Sequence, residues 1–393
     1  MSVLARLGVA RVINAAGTLT RLGGRPMAAE VAAAMAEVAG LSLDIAALQA
    51  AAGERIADLL GAEAAMVTTG AAAAMTLAAA ACLCGTDRAR IAALPFADGF
   101  PNEILLPRTH RTMYSRALAA AGARLVDIGH NDRGTGAGVR GLEAWEIAAA
   151  RTERTAAFAF TATPETIAAL PAVAAACQAL ALPVIVDAAA QLPPRANLRA
   201  LIASGADLVC FSGGKAIGGP QASGILAGRA GLVASALGQA LDMDVTEEVW
   251  APPPLLGARF AEGPPPHGLG RGFKAGKEEI VGLLVALERF AAGDDRAERE
   301  AIARRLGAIA ERLAGLDGVA ATVRDGARAP VLAIALRPPA RAASALAALR
   351  AHTPPVHVGE RQVAEGVLLV DLQSVAEPDD AVLAGALVAA VSG

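Results

Sequence analysis

The sequence predicts an α/β protein: a large domain on a mostly parallel sheet, joined to a smaller α+β domain. Two observations carry this. Through the middle of the 393-residue chain, short apolar runs alternate with alanine-rich helical runs, the pattern of strands linked by crossover helices. After two proline clusters, Pro252–Pro254 and Pro264–Pro266, the pattern changes to amphipathic helices and two separate strands.

In chain order, Ala65–Thr68 reads as a strand followed by a helix from about Ala71. Gly122–Ile128 and Thr155–Phe160 read as strands, Pro171–Leu180 as a helix, and Pro183–Asp187 and Ala206–Phe211 as strands. Beyond the prolines, Lys277–Arg289, Arg296–Leu316 and Ala340–Ala351 read as helices, with strands at Val331–Leu336 and Val367–Leu372. The expected division is a large domain over 41–265 and a small C-terminal domain over 266–393. The first 40 residues are expected to pack with the small domain.

Composition narrows the function. Lys and Arg number 35 against 38 Asp and Glu, a net charge of −3, without the basic surplus that nucleic-acid or acidic-membrane binding needs. Apolar residues make up 54% and mean hydropathy is +0.45, so the chain can bury a large core. Two uncharged stretches, Ala64–Thr86 and Thr166–Val186, are long enough to span a bilayer. The first holds several Thr and Gly, the second Pro171, Gln178 and Pro183, and strands buried on both faces account for them better. Arg6 and Arg11 interrupt any apolar run at the N-terminus, so it is not read as a signal peptide. Cys82, Cys84, Cys177 and Cys210 lie in apolar surroundings without C-x-x-C spacing. They read as reduced thiols of a cytoplasmic protein, and no metal site is expected.

Three segments carry chemistry. In Ser212-Gly-Gly-Lys-Ala-Ile-Gly-Gly-Pro-Gln221 a strand runs into glycines around one lysine, Lys215; glycine there permits close backbone approach to a ligand, or simply a tight surface loop. Asp187 ends an apolar strand 28 residues earlier, where open α/β sheets bind ligands. A lysine and an acid so placed suit a Schiff base and a pyridinium partner, the pair pyridoxal phosphate requires; a buried ion pair is the plain alternative. Third, Thr68-Thr-Gly-Ala-Ala72 leads a strand into a helix with no bulky side chain at its start, a seat for phosphate.

In that order the segments resemble a fold-type-I pyridoxal-phosphate enzyme. Further stretches resemble the selenocysteine synthase-like family, which includes D-glucosaminate-6-phosphate ammonia-lyase-like proteins. They are Val12–Gly24, the Asn102-Glu103…His110-Arg111…Tyr114 block, Val186–Pro194, Ser212–Gln221 and Gly272–Val281. The resemblance spans nearly the whole chain. It implies the type-I fold, with a large sheet of the seven-stranded type. It implies that Lys215 forms the Schiff base and acts as base at Cα, and that Asp187 pairs with the pyridine nitrogen. Thr69, Gly70, Ala71, Ala72, Ala189 and Ser212 would complete the cofactor seat, with His110 against the ring or near the substrate. Arg21, Arg361 and Gln373 are the candidate substrate contacts, and Arg271, Lys274 and Lys277 the candidate contacts with a neighbouring subunit. Gln373 stands where the family usually has arginine, and Arg361 is a candidate replacement.

The implied activity is elimination of ammonia from a β-hydroxy amino acid or aminosugar acid. A racemase, epimerase or aldolase uses the same lysine. Selenium transfer onto seryl-tRNA is disfavoured by the charge balance. A small-molecule substrate and a homodimer or larger symmetric assembly are expected, with neither nucleic acid nor membrane as partner.

Overall fold

The computed structural model describes residues 3–130 and 142–392. Among them are twelve strands: β1 (Ile13–Ala15), β2 (Ala64–Thr68), β3 (Glu103–Pro107), β4 (Arg124–Ile128), β5 (Thr155–Thr161), β6 (Val184–Asp187), β7 (Leu208–Ser212), β8 (Gly224–Gly228), β9 (Val319–Arg324), β10 (Val331–Leu336), β11 (Val356–Val358) and β12 (Val367–Val370). The chain forms two compact units, Met27–Ala291 and Met1–Pro26 with Ala292–Gly393.

The larger unit holds a seven-stranded sheet in the order β2-β8-β7-β6-β5-β3-β4. β7, β6, β5, β3 and β4 run parallel, and β8 is antiparallel to both neighbours. Alternate residues of each strand enter different cores. Val67, Leu105, Phe158, Val186, Val209 and Ile225 lie on one face; Met66, Ile104, Ala157, Ile185, Leu208 and Leu226 lie on the other. Both faces are buried, which is why the strands read as unbroken apolar runs. The uncharged stretch at 64–86 is β2 followed by the helix Ala71–Cys84. The one at 166–186 is largely the helix Leu170–Ala179 and β6. Among the described residues no helix is long and apolar enough to cross a membrane.

The small unit pairs β1 with β11 in parallel and builds an antiparallel sheet in the order β12-β10-β9. The helices Asp295–Leu313, Arg341–Ala351 and Asp380–Ser392 share its apolar core.

The division between units departs from the expected boundaries at 40 and 265. Residues 1–26 join the small unit, but the helix Ala29–Ala39 belongs to the large one, as does Lys277–Ala291. Val31, Ile280, Leu283, Leu287 and Phe290 are all in the large core, so the apolar faces of these helices decide where they belong.

β2 is an edge strand, and its edge is covered by a side chain. Gln49 of the helix Ile45–Leu60 donates from Nε2 to the Val67 carbonyl at 2.9 Å and accepts the Val67 N–H at Oε1 at 3.0 Å. The amide thus replaces a missing strand partner. Gln49→Leu is expected to leave both backbone groups unpaired in the core and to cost about 2–6 kcal/mol, at roughly 1–3 per group. Urea unfolding measures it.

Candidate active site

The register places the candidate residues along one edge of the large sheet. Asp187 of β6 stands level with Cys210 of β7. Gly224, at the start of β8, stands level with Ser212 of β7 and with Thr68 of β2. At about 4.8 Å per strand spacing, β2 and β6 are roughly 14 Å apart.

β7 ends at Ser212 and turns through a widened helical turn, Gly213–Ile217, with Lys215 at φ −93°, ψ −123° and Gly218 in the left-handed region at φ 73°. A Cβ on Gly213 would strike Ser223 Oγ, and one on Gly214 would strike the Gln221 backbone. Glycine at both positions therefore lets the two passes of chain close together behind Lys215. Asp187 is held at the end of β6, where Oδ1 accepts the Ala189 N–H at 3.0 Å. Burial pushes its carboxyl above the ordinary carboxylate range, partly offset by the Ala189 N–H and the Lys215 charge.

Gly70 precedes the fourteen-residue helix Ala71–Cys84 at φ 117°, ψ 165°, a conformation strained for any other residue. The first N–H groups of that helix lack intrahelical partners and, with the dipole, favour an anion. A Cβ on Gly224 would overlap the Gly70 carbonyl carbon and the Ala71 nitrogen. Gly224 is thus the floor of this loop, a role missed by the sequence reading; its place just beyond the lysine loop was the only signal. Gly224→Ala is expected to displace residues 70–71 and to weaken anion binding there at least about tenfold, since the clash is with backbone. Equilibrium binding of inorganic phosphate and of pyridoxal phosphate checks this.

Thr69 Oγ1 donates to the Phe273 carbonyl at 3.2 Å, bringing residues 271–277 against the phosphate-loop strand. Lys274, Arg271 and Lys277 line a pocket of about 680 Å³ in the large unit with Trp250 and Phe273. Arg271 pairs with Asp242 at 2.6 Å and Lys277 with Glu278 at 3.1 Å. His110 is buried on a turn after β3, edge-on to Phe160 with ring centroids 4.6 Å apart.

The substrate candidates lie in the small unit. Arg21 pairs with Glu360 at 2.8 Å, Arg361 is exposed, and the Gln373 side chain donates to Asp371 Oδ2 at 2.9 Å. One trio of metal-ligand type occurs among the described residues, Asp242, Asp244 and His267. His267 Nε2 already accepts the Met243 N–H, and Arg271 engages Asp242.

A family model described as L-seryl-tRNA selenium transferase (SelA) matches residues 180–243, the segment holding Asp187 and Lys215. D-glucosaminate-6-phosphate ammonia lyase of Salmonella typhimurium is 30% identical over 98% of this chain and 97% of its own length. The chain belongs to the selenocysteine synthase-like family of fold-type-I pyridoxal-phosphate enzymes. A second relative in the same similarity range, a 5'-C-glycyluridine monooxygenase-decarboxylase of a Streptomyces species, is 32% identical over 93% of this chain and 86% of its own. The solved structure of a D-glucosaminate-6-phosphate ammonia-lyase superposes with a TM-score of 0.81 at 28% identity. It covers 100% of this chain and 98% of that one. The large and small sheets are those of the type-I fold, as the sequence resemblance implied.

Proposed function

We propose that this family member binds pyridoxal 5'-phosphate and eliminates ammonia from a β-hydroxy amino acid or aminosugar acid of the D-glucosaminate 6-phosphate kind, yielding a 2-oxo acid. The observation that carries the reading is the Asp187–Lys215 pair at the ends of neighbouring parallel strands, on the same sheet edge as the Gly70 helix N-terminus. Full-length similarity to the lyase supports the reaction class.

Two features fit the cofactor. Asp187 is a half-buried carboxyl whose charge is penalised by desolvation, so a protonated ring nitrogen would supply the missing cation. The Gly70 loop faces open space, with nothing within 4 Å of where a Cβ on Gly70 would stand, and its N–H groups suit a phosphate. Lys215 and Asp187 would hold the two ends of the ring system, with Gly70–Ala72 and the Ser212 hydroxyl at the phosphate.

When bound, the cofactor withdraws electrons from Cα of an attached amine substrate. Lys215, half-buried at the sheet edge, would take the Cα proton. Asp187 keeps the ring nitrogen charged. Loss of the β-hydroxyl as water and return of water at Cα leave ammonia and the 2-oxo acid, so atoms balance. Arg21, Arg361 and Gln373 remain the candidates for the substrate's acidic groups.

The deciding assay incubates the loaded protein with D-glucosaminate 6-phosphate and a panel of β-hydroxy amino acids. Ammonia and 2-oxo acid in equal amounts are expected, with no oxygen uptake. Racemisation without ammonia would sink the lyase reading. Oxygen uptake with carbon dioxide release would point instead to the chemistry named for the Streptomyces relative. A gel shift with seryl-tRNA would favour selenium transfer.

A homodimer or larger symmetric assembly, with Arg271, Lys274 and Lys277 toward the neighbouring subunit, is part of the same proposal. Val3, Leu4 and Leu7 are exposed at 59%, 49% and 67%, apolar surface that a second copy would cover. Sedimentation showing a fully active monomer would refute it. The cysteines are free thiols, in keeping with a cytoplasmic setting.

A further inference from the structure

β3 pairs with β5 only as far as Leu105 opposite Phe158. β3 itself ends at Pro107 while β5 continues to Thr161, and there a side chain takes over. His110 Nδ1 accepts the Thr161 N–H at 3.3 Å, and Thr161 Oγ1 donates to the His110 carbonyl at 3.0 Å. One residue thus grips both the ring and the backbone of His110. Phe160 supports the ring edge-on. Thr161 stands level with Asp187 on the adjacent strand, so the clamped ring belongs to the sheet edge that carries the proposed site.

A ring nitrogen that accepts a hydrogen bond carries no proton, so a neutral imidazole held this way bears its hydrogen on Nε2. Nε2 makes no hydrogen bond to another described residue, nor is it among the sealed polar atoms without a partner. We propose that Thr161 is a positioning residue that locks His110 as the Nε2–H tautomer, making the ring a fixed hydrogen-bond donor to an oxygen of the bound small molecule. The ligand oxygen rests on the function proposed above; the tautomer does not. Burial alone lowers the His110 pKa to about 4, so the ring stays neutral near pH 7.

The test uses the full chain labelled with ¹⁵N-histidine, free of cofactor and substrate. Long-range proton–nitrogen correlation spectra are expected to show one Nε2-protonated ring, missing in His110→Gln, that stays neutral well below the ordinary histidine range. Thr161→Val keeps the backbone N–H at Nδ1 and loses only the Oγ1 bond to the His110 carbonyl, so it is expected to keep the Nε2-protonated ring, to shift its signal as the ring's seat loosens, and to lower turnover about tenfold at unchanged KM, the effect of one lost hydrogen bond. Thr161→Ser restores both. A wild-type ring protonated on Nδ1, or one that titrates near the ordinary histidine value, overturns the proposal, as does Thr161→Val with both a wild-type spectrum and wild-type turnover. Adding pyridoxal 5'-phosphate, then D-glucosaminate 6-phosphate, identifies the acceptor. A shift of the Nε2–H signal at the first step assigns a cofactor oxygen, and one only at the second assigns a substrate oxygen. No shift at either step rejects the donor role. The spectra of the unloaded protein decide the tautomer even if the lyase assay fails.

Discussion

Lys215→Ala is expected to abolish two properties together: the visible absorption of the protein loaded with pyridoxal phosphate, and ammonia release. The side chain leaves a tight turn between β7 and β8, and glycines at 213 and 214 keep that turn closed. Alanine fits the turn's backbone, so the fold should survive and the loss should be chemical. Removing a positioned general base alone costs about 10²–10⁴-fold, and under the proposed function the same residue would also anchor the cofactor. Absorbance spectra, turnover and thermal unfolding measured on one preparation separate these effects. Retained turnover in a folded variant would refute the assignment of the base.

Asp187→Asn is the second large effect. The amide keeps the shape and the Ala189 N–H bond at Oδ1 but removes the charge. Losing one partner of a buried charge pair costs about 3–5 kcal/mol, so turnover should fall roughly 10²- to 10⁴-fold. Stability should move the other way in the unloaded protein. Burial raises the Asp187 pKa in the folded state, so its contribution to stability is present below the unfolded pKa and is lost as pH rises through the folded one. At neutral pH the ionised carboxylate is a penalty, and the asparagine variant lacks it. Without cofactor, Asp187→Asn should therefore melt at the same temperature as wild type or higher. Pyridoxal phosphate should raise the melting temperature of wild type more than that of the variant. An equal rise in both would show that Asp187 does not meet the ring.

Much of the large sheet was legible because its strands are buried on both faces. β6 and β7 are short apolar runs that end in chemistry-bearing residues, Asp187 and the glycine–lysine loop. Other strands gave weak signals. β8 is a five-residue stretch with glycine at each end, lying between a glycine-rich loop and a helix, and no local pattern announces it. β9 alternates half-buried and exposed residues. β1 and β11 are three residues each and exist only because distant segments meet. The helix Lys277–Ala291 was recognisable in the sequence and Ala29–Ala39 was not among the expected elements, and the allegiance of both to the large unit depended on which core their apolar faces reached.

The same distinction runs through the site. The types and order of Gly70, Asp187 and Lys215 are properties of the chain, because a phosphate seat, a ring partner and a Schiff-base lysine each demand a particular residue at a strand end. Which strands are neighbours is not local information. It arises from β8 folding back between β2 and β7, which brings Gly224 under the Gly70 loop. Gln49 on the edge of β2 and Thr161 on the His110 ring are likewise contacts across long stretches of sequence. The sequence by itself determined the chemistry available to this protein. Only the tertiary structure decided which backbone groups were left without a strand partner, and those unpaired groups are what hold Gln49 and His110 in place.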